Sequence, residues 1–217
     1  MTGDLIPAQV LACRTIANVS PTLAQQLGLP QQYRSIGLVT ADSDDVLYCA
    51  LDEATKAAAV EVVYAKSLYA GASNASTQFA GEVIGILAGP NPAEVQSGLR
   101  ACAAFLESGE GFRSANETDS VVYFAHTVSR TGTYLSKVAG VREGEALAYL
   151  IAPPLEAMVG LDEAMKASDV ELAALFAPPS ETNFGGGLLT GTQSACKAAA
   201  AAFAQAVQEV ARRPREV

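Results

Sequence analysis

Apolar residues fall into short strand-like runs separated by longer stretches with helical spacing. In residues 46–58, apolar side chains recur at intervals of three and four, which predicts an amphipathic helix after the polar run Asp42–Asp45. Further helices are predicted from Pro92 and over 195–211. This order of strands and helices predicts a mixed α/β fold with helices on one face of a sheet. The strands predicted in the first half are 10–19, 36–40, 60–64 and 83–87.

The pattern repeats at an interval of about half the chain. The run DEATKAAAVEV at 52–62 recurs as DEAMKASDVEL at 162–172, an offset of 110 residues. Because further matches keep the same order, the sequence predicts two copies of one domain, over 1–108 and 109–217. These further matches are 38–41 with 149–152, 23–29 with 135–141, and Gly89 with Gly191.

Each copy also predicts a short helix. Ser20 is the predicted cap of a helix that begins at Pro21 and ends near Gly28. In the second copy, we expect Thr131 or Ser129 to cap the corresponding helix.

Two loops rich in small residues, 66–80 and 177–187, lie at equivalent points of the two copies. Long loops of this composition are either mobile surface segments or functional ones. Their equivalence in the repeat favours the second interpretation, in which the two loops meet at one shared feature.

Composition narrows the function classes. Half of the residues are apolar and 17% are charged, which is typical of a folded protein, while aromatic residues are only 6% and Trp is absent. The net charge of −9 argues against a nucleic-acid partner. No apolar run reaches the roughly 18 residues of a membrane span, and the first residues do not read as a signal peptide.

The four cysteines, with a single histidine, do not fit a metal site or a disulfide scaffold. None of Cys13, Cys49, Cys102 and Cys196 forms a C-x-x-C pair. We therefore predict mostly buried thiols in a reducing cytosol, with no metal and no cofactor.

Catalytic chemistry is weakly represented. Asp44 and Asp45 could form a carboxylate pair for acid–base work, but helix capping explains them equally well. His126 lies in an alternating strand, where a packing role is the simpler interpretation. An enzyme acting on a small amine through Asp44, Asp45 and Glu82 would lack a nucleophile–base pair and a cofactor motif, so we predict that the protein is not an enzyme.

The repeated helix–strand motif resembles the signature of bacterial microcompartment shell domains, as does Gly191 with the eight residues after it. Nearly the whole chain is similar to the tandem shell proteins of the ethanolamine-utilisation microcompartment. The resemblance implies two circularly permuted, ferredoxin-like shell domains of α+β type. It also implies a homotrimer that mimics a hexagon and tiles with other shell proteins into a cytoplasmic microcompartment shell. Such tiles carry a gated central pore and a small pore in each subunit.

The resemblance also assigns roles to particular residues. Lys56 and Lys166, which occupy one position of the repeat, fall where shell domains place the lysine of the tile edge. As an alternative, each is a solvated helix lysine. The two loops would line the three-fold axis and gate the central pore.

We further predict a small-amine site within each subunit. Alignment on Gly89 and Gly191 sets residues 182–184 opposite 80–82. Carboxylates, a hydroxyl, an amide and an aromatic ring are suited to an ammonium ion, and the resemblance names ethanolamine as the ligand. The alternative is that the aspartates only cap, Glu82 ends a strand and Phe112 is core. The predicted site comprises Asp44, Asp45, Glu82, Phe112, Thr182, Asn183 and Phe184.

A different class of function also fits a ring of repeated domains. A soluble ring-shaped sensor that binds a small amine would show the same repeat and the same acidic charge. Formation of extended sheets by the purified protein would distinguish the shell tile from the sensor.

Overall fold

The computed structural model describes residues 1–68, 77, 79–178 and 183–215. Contacts divide the chain into two compact units. The boundary between the two sequence copies after residue 108 stays a prediction, because each unit takes segments from both sides of it. Unit 1 comprises Met1–Ile6, Gly111–Thr131 and Ser136–Val217, and unit 2 comprises Pro7–Glu110 and Gly132–Leu135.

Ten strands and six helices are described. In chain order they are β1 (Leu5–Pro7), β2 (Val10–Ile16), α1 (Pro21–Gln26), β3 (Ser35–Ala41), α2 (Asp44–Ala57), β4 (Glu61–Ser67), β5 (Val83–Gly89), α3 (Pro92–Leu106), β6 (Gly111–Ser114), β7 (Val122–Val128), α4 (Thr133–Ala139), β8 (Ala146–Ala152), α5 (Pro154–Ala167), β9 (Val170–Phe176), β10 (Gly185–Gly191) and α6 (Gln193–Arg212).

Unit 2 is a four-stranded antiparallel sheet in the order β2-β3-β5-β4. Helices α2 and α3 pack against each other and against this sheet, so both lie on one face, as predicted. The opposite face carries a smaller cluster that includes Val19, Ile36 and Ile86, with Ala24 and Leu27 of the α1 region packed against it.

Unit 1 repeats this arrangement. Its sheet runs β1-β6-β7-β8-β10-β9, and the last four strands correspond in order to those of unit 2. Helices α5 and α6 pack together and on the sheet. The shared strand order confirms the predicted α/β fold class and its internal repeat.

The core of unit 1 is built from close contacts that involve small residues, in keeping with a sequence in which only 6% of the residues are aromatic. Gly160 of α5 faces the ring of Phe203 of α6, and a Cβ at Gly160 would lie 2.6 Å from Phe203 Cδ2. Because no side chain fits in that space, glycine allows α5 and α6 to pack in direct contact. Ala157, Ala164 and Ala199 are completely buried in the same cluster.

Several predicted bounds were wrong, because strand pairing and helix capping, rather than the apolar runs alone, determine where each element begins and ends. Strand β2 ends at Ile16 rather than at residue 19. Strand β4 continues to Ser67 because Ser67 pairs with Val83 of β5. Helix α6 begins two residues early, at Gln193, where the Thr192 hydroxyl accepts a hydrogen bond from the N–H of Ala195.

Across the described residues, no helix is long and apolar enough to cross a membrane. The four cysteines are free thiols; Cys49, Cys102 and Cys196 are buried, and Cys13 is half-buried. Burial raises the pKa of Cys102 to about 12, and its thiol donates to the carbonyl of Ala50. The thiol at Cys102 therefore has a packing role.

Candidate functional site

The predicted acidic residues of unit 2 lie at one end of its sheet. Asp44 and Asp45 form the first turn of α2, and both are more than nine-tenths buried. Strand β4 ends at Ser67, and β5 begins directly after Glu82. The ends of α2, β4 and β5 therefore bring three carboxylates to the same end of the unit.

A chain of hydrogen bonds fixes the Asp44 carboxylate. Asp44 Oδ2 accepts from the Ser67 hydroxyl at 2.8 Å, and Ser67 Oγ lies 2.6 Å from the Tyr48 hydroxyl. Because the single Ser67 proton goes to the carboxylate, the Tyr48 hydroxyl donates to Ser67. Tyr48 lies one turn after Asp44 on α2, so the same helix face presents both groups.

Capping of α2 agrees with the prediction only in part. Ser43 occupies the N-cap position without a side-chain cap bond, and its buried hydroxyl has no hydrogen-bond partner among the described residues. The Asp42 carboxylate accepts instead from the N–H of Gln9 at 2.6 Å. Asp44 Oδ1 accepts from the N–H of Asp45 at 2.9 Å, so Asp44 does satisfy one amide of the first turn.

Glu82 is half-buried, and its backbone is fixed on both sides. Its N–H donates to the carbonyl of Ala41 at 2.9 Å, and its own carbonyl accepts from the N–H of Leu68 at 2.6 Å. Those two bonds tie the start of β5 to the ends of β3 and β4. The position of the Glu82 backbone is therefore set by the sheet itself.

The predicted aromatic residues belong to unit 1 and contact each other. The ring of half-buried Phe112 stacks on Phe124, with ring centroids 5.5 Å apart. Phe184 contacts the ring of Phe112 edge to face, with centroids 5.9 Å apart. His126 stacks on Phe124 in turn, which confirms a packing role for this histidine. The aromatic group continues through Tyr149 to Phe176.

Residues 81 and 183 share a conformation across the repeat. Gly81 and Asn183 both have a left-handed backbone, with φ of 61° and 65°. Asparagine is among the few side chains that tolerate this region, so the repeat preserves the turn with a different residue. The Asn183 side chain is exposed. Thr182, the remaining predicted site residue, lies outside the described residues, as do most of 66–80 and the central part of 177–187.

Asp52, which the sequence did not single out, is the best-buried carboxylate of unit 2. Its Oδ2 accepts from the N–H of Gly132 at 2.7 Å and its Oδ1 from the N–H of Leu135 at 2.8 Å. Asp52 therefore caps α4, and the predicted cap by Thr131 or Ser129 is wrong. The Thr131 hydroxyl instead accepts from the N–H of Gly144 at 3.1 Å.

The two lysines of the repeat have different surroundings. Lys56 is 14% exposed and pairs with Glu53 and, at 3.4 Å, with Asp52. Lys166 is 63% exposed and pairs with Asp162 and with Glu163. Hydrogen bonds to Asp162, which has the larger effect, and to Glu163 raise the pKa of Lys166. Of the two, Lys166 matches a solvated helix lysine in the single chain.

Sequence reasoning missed Ser67, Tyr48 and Phe124, the residues that hold the predicted side chains in place. Tyr48 could have been found from its spacing of one helical turn after Asp44. Ser67 and Phe124 lie on strands whose register the sequence does not reveal. Among the described residues, no group of three or more His, Cys, Asp or Glu side chains is placed to hold a metal ion.

Comparison with known proteins gives relatives over the whole chain. A family model, the BMC domain, matches residues 35–118. The chain is 67% identical to the bacterial microcompartment shell protein EutL of Clostridium perfringens over 99% of both sequences. It is 55% identical to EutL of Salmonella typhimurium, over 97% of this chain and 96% of that one. The crystal structure of the ethanolamine utilization protein EutL from Leptotrichia buccalis superposes over 100% of both chains, with a TM-score of 0.98 and 64% identity.

Proposed function

Because the chain belongs to the BMC-domain family of bacterial microcompartment shell proteins, we propose that it is a structural tile of an ethanolamine-utilisation microcompartment. The observation that carries this proposal is identity of 67% over nearly the full length of a shell protein of that name. A tile of this kind acts by assembly and by controlling passage, without turnover of a substrate.

The proposed assembly is a homotrimer that tiles with other shell proteins. Its support is the repeat, since units 1 and 2 share one strand order. Three chains with two similar units each supply six similar wedges, and contacts that repeat head to tail close into a ring. The ring would have a central pore on its three-fold axis and a smaller pore in each subunit. Gating by loops 66–80 and 177–187 stays a prediction.

Two measurements on the purified protein test the tile. Light scattering at micromolar concentration should give about three times the chain mass of 22.4 kDa. Electron microscopy of concentrated protein should show extended flat sheets. A monomer would overturn the trimer, and a trimer that never forms sheets would favour the ring-shaped sensor instead.

Lys166 and Lys56 are proposed to lie at the edge between tiles. Reversing a charge at such an edge opposes association while leaving the trimer intact. Lys166→Asp should reduce sheet formation more than Lys56→Asp, because Lys166 is the more exposed of the two. The matched control is Lys197→Asp, an exposed lysine on α6. If a chain that carries both Lys56→Asp and Lys166→Asp formed normal sheets, the two lysines would not lie at the edge between tiles.

We also propose that the subunit binds or passes protonated ethanolamine through the predicted site residues. The acidic end of unit 2 supplies negative charge through Asp44, Asp45 and Glu82. Phe112 and Phe184 of unit 1 supply aromatic faces, and a cation–π contact adds about 0.5–2 kcal/mol. We expect weak affinity, because a transport site must also release its ligand.

Calorimetric titration with ethanolamine tests the site residue by residue. Loss of one charged partner corresponds to an affinity about tenfold lower, so Glu82→Gln should bind correspondingly more weakly than the unsubstituted protein. Phe112→Leu tests the aromatic part separately. Glu107→Gln, at the exposed end of α3, is the control for loss of charge alone. Equal binding by all four proteins, or no binding at millimolar ethanolamine, would exclude this site.

A further inference from the structure

One face of α5 is exposed, whereas the same face of α2 is covered. At the offset of 110 residues, each position on this face of α5 has a counterpart on α2, which is buried or half-buried. The spacing of three and four places these residues in a single stripe along α5. The α5 stripe comprises Leu155, Met158, Val159, Asp162 and Met165, of which the four apolar members are all exposed.

In unit 2, residues Gly132–Leu135 cover part of the corresponding face of α2. The Asp52 carboxylate accepts from the N–H groups of Gly132 and Leu135, as described above. The rings of Tyr48 and Tyr134 are in contact, with centroids 6.2 Å apart. Leu135 is only 1% exposed. We use this contact as a template: it shows which kind of segment can cover the equivalent face of α5.

The segment equivalent to Gly132–Leu135 is Ser20–Leu23, at the start of α1. Helices α1 and α4 end alike: Gly28 and Gly140 follow them with φ of 65° and 66°. In each case the next N–H bonds back to a carbonyl five residues earlier, at 3.0 Å. The two short helices are therefore the same element of the repeat.

Ser20–Leu23 is exposed along its whole length. Helix α1 has no buried residue, and Leu23 is 42% exposed although its counterpart Leu135 is buried. The α5 stripe and Ser20–Leu23 are therefore both exposed surfaces. In an assembly of identical chains, the α5 stripe of one chain can pack against Ser20–Leu23 of another, as α2 packs against Gly132–Leu135.

The α2 contact includes a hydrogen bond whose donor and acceptor are both missing at the equivalent positions of Ser20–Leu23 and the α5 stripe. In unit 2 the Thr55 hydroxyl accepts from the N–H of Thr133 at 3.1 Å. At the equivalent positions, Met165 has no hydroxyl and Pro21 has no N–H. Donor and acceptor are therefore both absent, so contact at these two positions would not bury an N–H without its acceptor.

One difference limits how closely the second contact can copy the first. A Cβ at Gly132 would lie 2.7 Å from the backbone oxygen of Asp52, and the counterpart of Gly132 is Ser20. Ser20 must therefore sit further from α5 than Gly132 sits from α2. Met158 and Met165, which are long and unbranched, can fill the wider gap.

We infer that Ser20–Leu23 of a second copy docks on the α5 stripe, with the Asp162 carboxylate accepting from the backbone N–H of Ser20. The N–H of Leu23 already donates to the Ser20 hydroxyl at 3.4 Å. The inference rests on the homotrimer proposed above and names the contact that joins its subunits. Because two different surfaces meet, the contact repeats head to tail around the ring.

Disulfide trapping tests this contact directly. Thr22 and Met158 are the counterparts of the touching pair Tyr134 and Tyr48. Under oxidising conditions, chains carrying both Thr22→Cys and Met158→Cys should give covalent dimers and trimers on non-reducing gels. Chains with either substitution alone control for the native thiols. The variant with Tyr48→Cys and Tyr134→Cys should close its disulfide within one chain, without a change of mass.

Asp162→Asn provides the second readout. We expect the dissociation constant of the assembly to rise about tenfold or more, since a charge-assisted hydrogen bond is lost. Glu163→Gln, which removes a neighbouring charge that also pairs with Lys166, should leave it nearly unchanged. A stable trimer that neither cross-links nor responds to Asp162→Asn would place the subunit contact elsewhere. An unsubstituted protein that is monomeric would instead overturn the homotrimer itself.

Discussion

Helices α2 and α5 carry the same motif of two acidic residues followed, three positions later, by lysine, yet the motif serves different purposes in the two units. In α2, Asp52 is buried and caps another helix, while Lys56 lies against Asp52 and Glu53. In α5, the equivalent Asp162 is 58% exposed and pairs with the exposed Lys166. The strand order around both helices is the same, so the fold does not explain the difference.

The difference comes from what covers each helix. Gly132, which Asp52 binds, lies 80 residues further along the chain. A sequence motif therefore determines which groups a helix face offers, and a distant segment determines whether those groups are buried. For α5, we assign the covering segment to a second copy. Substitutions at paired positions of the repeat can test whether this explanation is correct.

The largest effect is expected for Asp52→Asn. An amide has one acceptor oxygen, so one of the two buried N–H groups that Asp52 now binds would face a donor. We expect the free energy of unfolding, measured by urea titration with circular dichroism, to fall by about 2–4 kcal/mol. Amide exchange at Gly132 and Leu135 should also become faster.

Two controls locate this effect. Glu53→Gln removes a partly exposed carboxylate from the same helix and should cost less than about 1 kcal/mol. Asp162→Asn should leave amide exchange at Gly132 and Leu135 unchanged, because Asp162 is not their partner. If Asp52→Asn cost no more than Glu53→Gln, the buried cap would not be what distinguishes α2 from α5.

The α/β fold class and most helices could be predicted from the sequence, because the spacing of apolar residues along a helix is a local, periodic signal. The spacing of apolar residues in α2 and α5, and Pro92 at the start of α3, identified helices that the structure confirms. The bounds of β4 could not be predicted, because its last residue, Ser67, is held by pairing with β5 rather than by its own pattern.

The candidate site could be predicted only in part. Asp44 and Asp45 were placed from the predicted start of a helix, and Glu82 from the alignment of the two copies on Gly89 and Gly191. The Ser67 hydroxyl that holds Asp44 depends on the register between distant strands. The cap of α4 was assigned to nearby Thr131 or Ser129, because local hydroxyls are the usual caps. A carboxylate from a distant helix leaves no local signal.

A smaller effect is expected for Gly132→Ala. The new Cβ would lie 2.2 Å from Thr55 Oγ1 and 2.7 Å from the backbone oxygen of Asp52. Because a backbone atom cannot turn aside as a side chain can, the loss of stability should be about 1–3 kcal/mol. Ser20→Thr, at the equivalent exposed position, keeps both its Cβ and the hydroxyl that caps α1 and should cost less. Similar urea midpoints for the two variants would show that close approach is not required on α2.

The smallest effect concerns the hydrogen bond that α2 has and the α5 stripe lacks. Thr55→Val removes the acceptor of the Thr133 N–H and should cost about 0.5–1.5 kcal/mol. Thr133→Pro removes that N–H at the first helical position, where proline is tolerated and where α1 already has Pro21. In the Thr133→Pro background, Thr55→Val should therefore cost much less, because no donor is left unpaired. A double-mutant cycle measures this coupling. If Thr55→Val cost the same in both backgrounds, the two groups would not be coupled. The absence of both groups at Pro21 and Met165 would then give no support to a contact between Ser20–Leu23 and the α5 stripe.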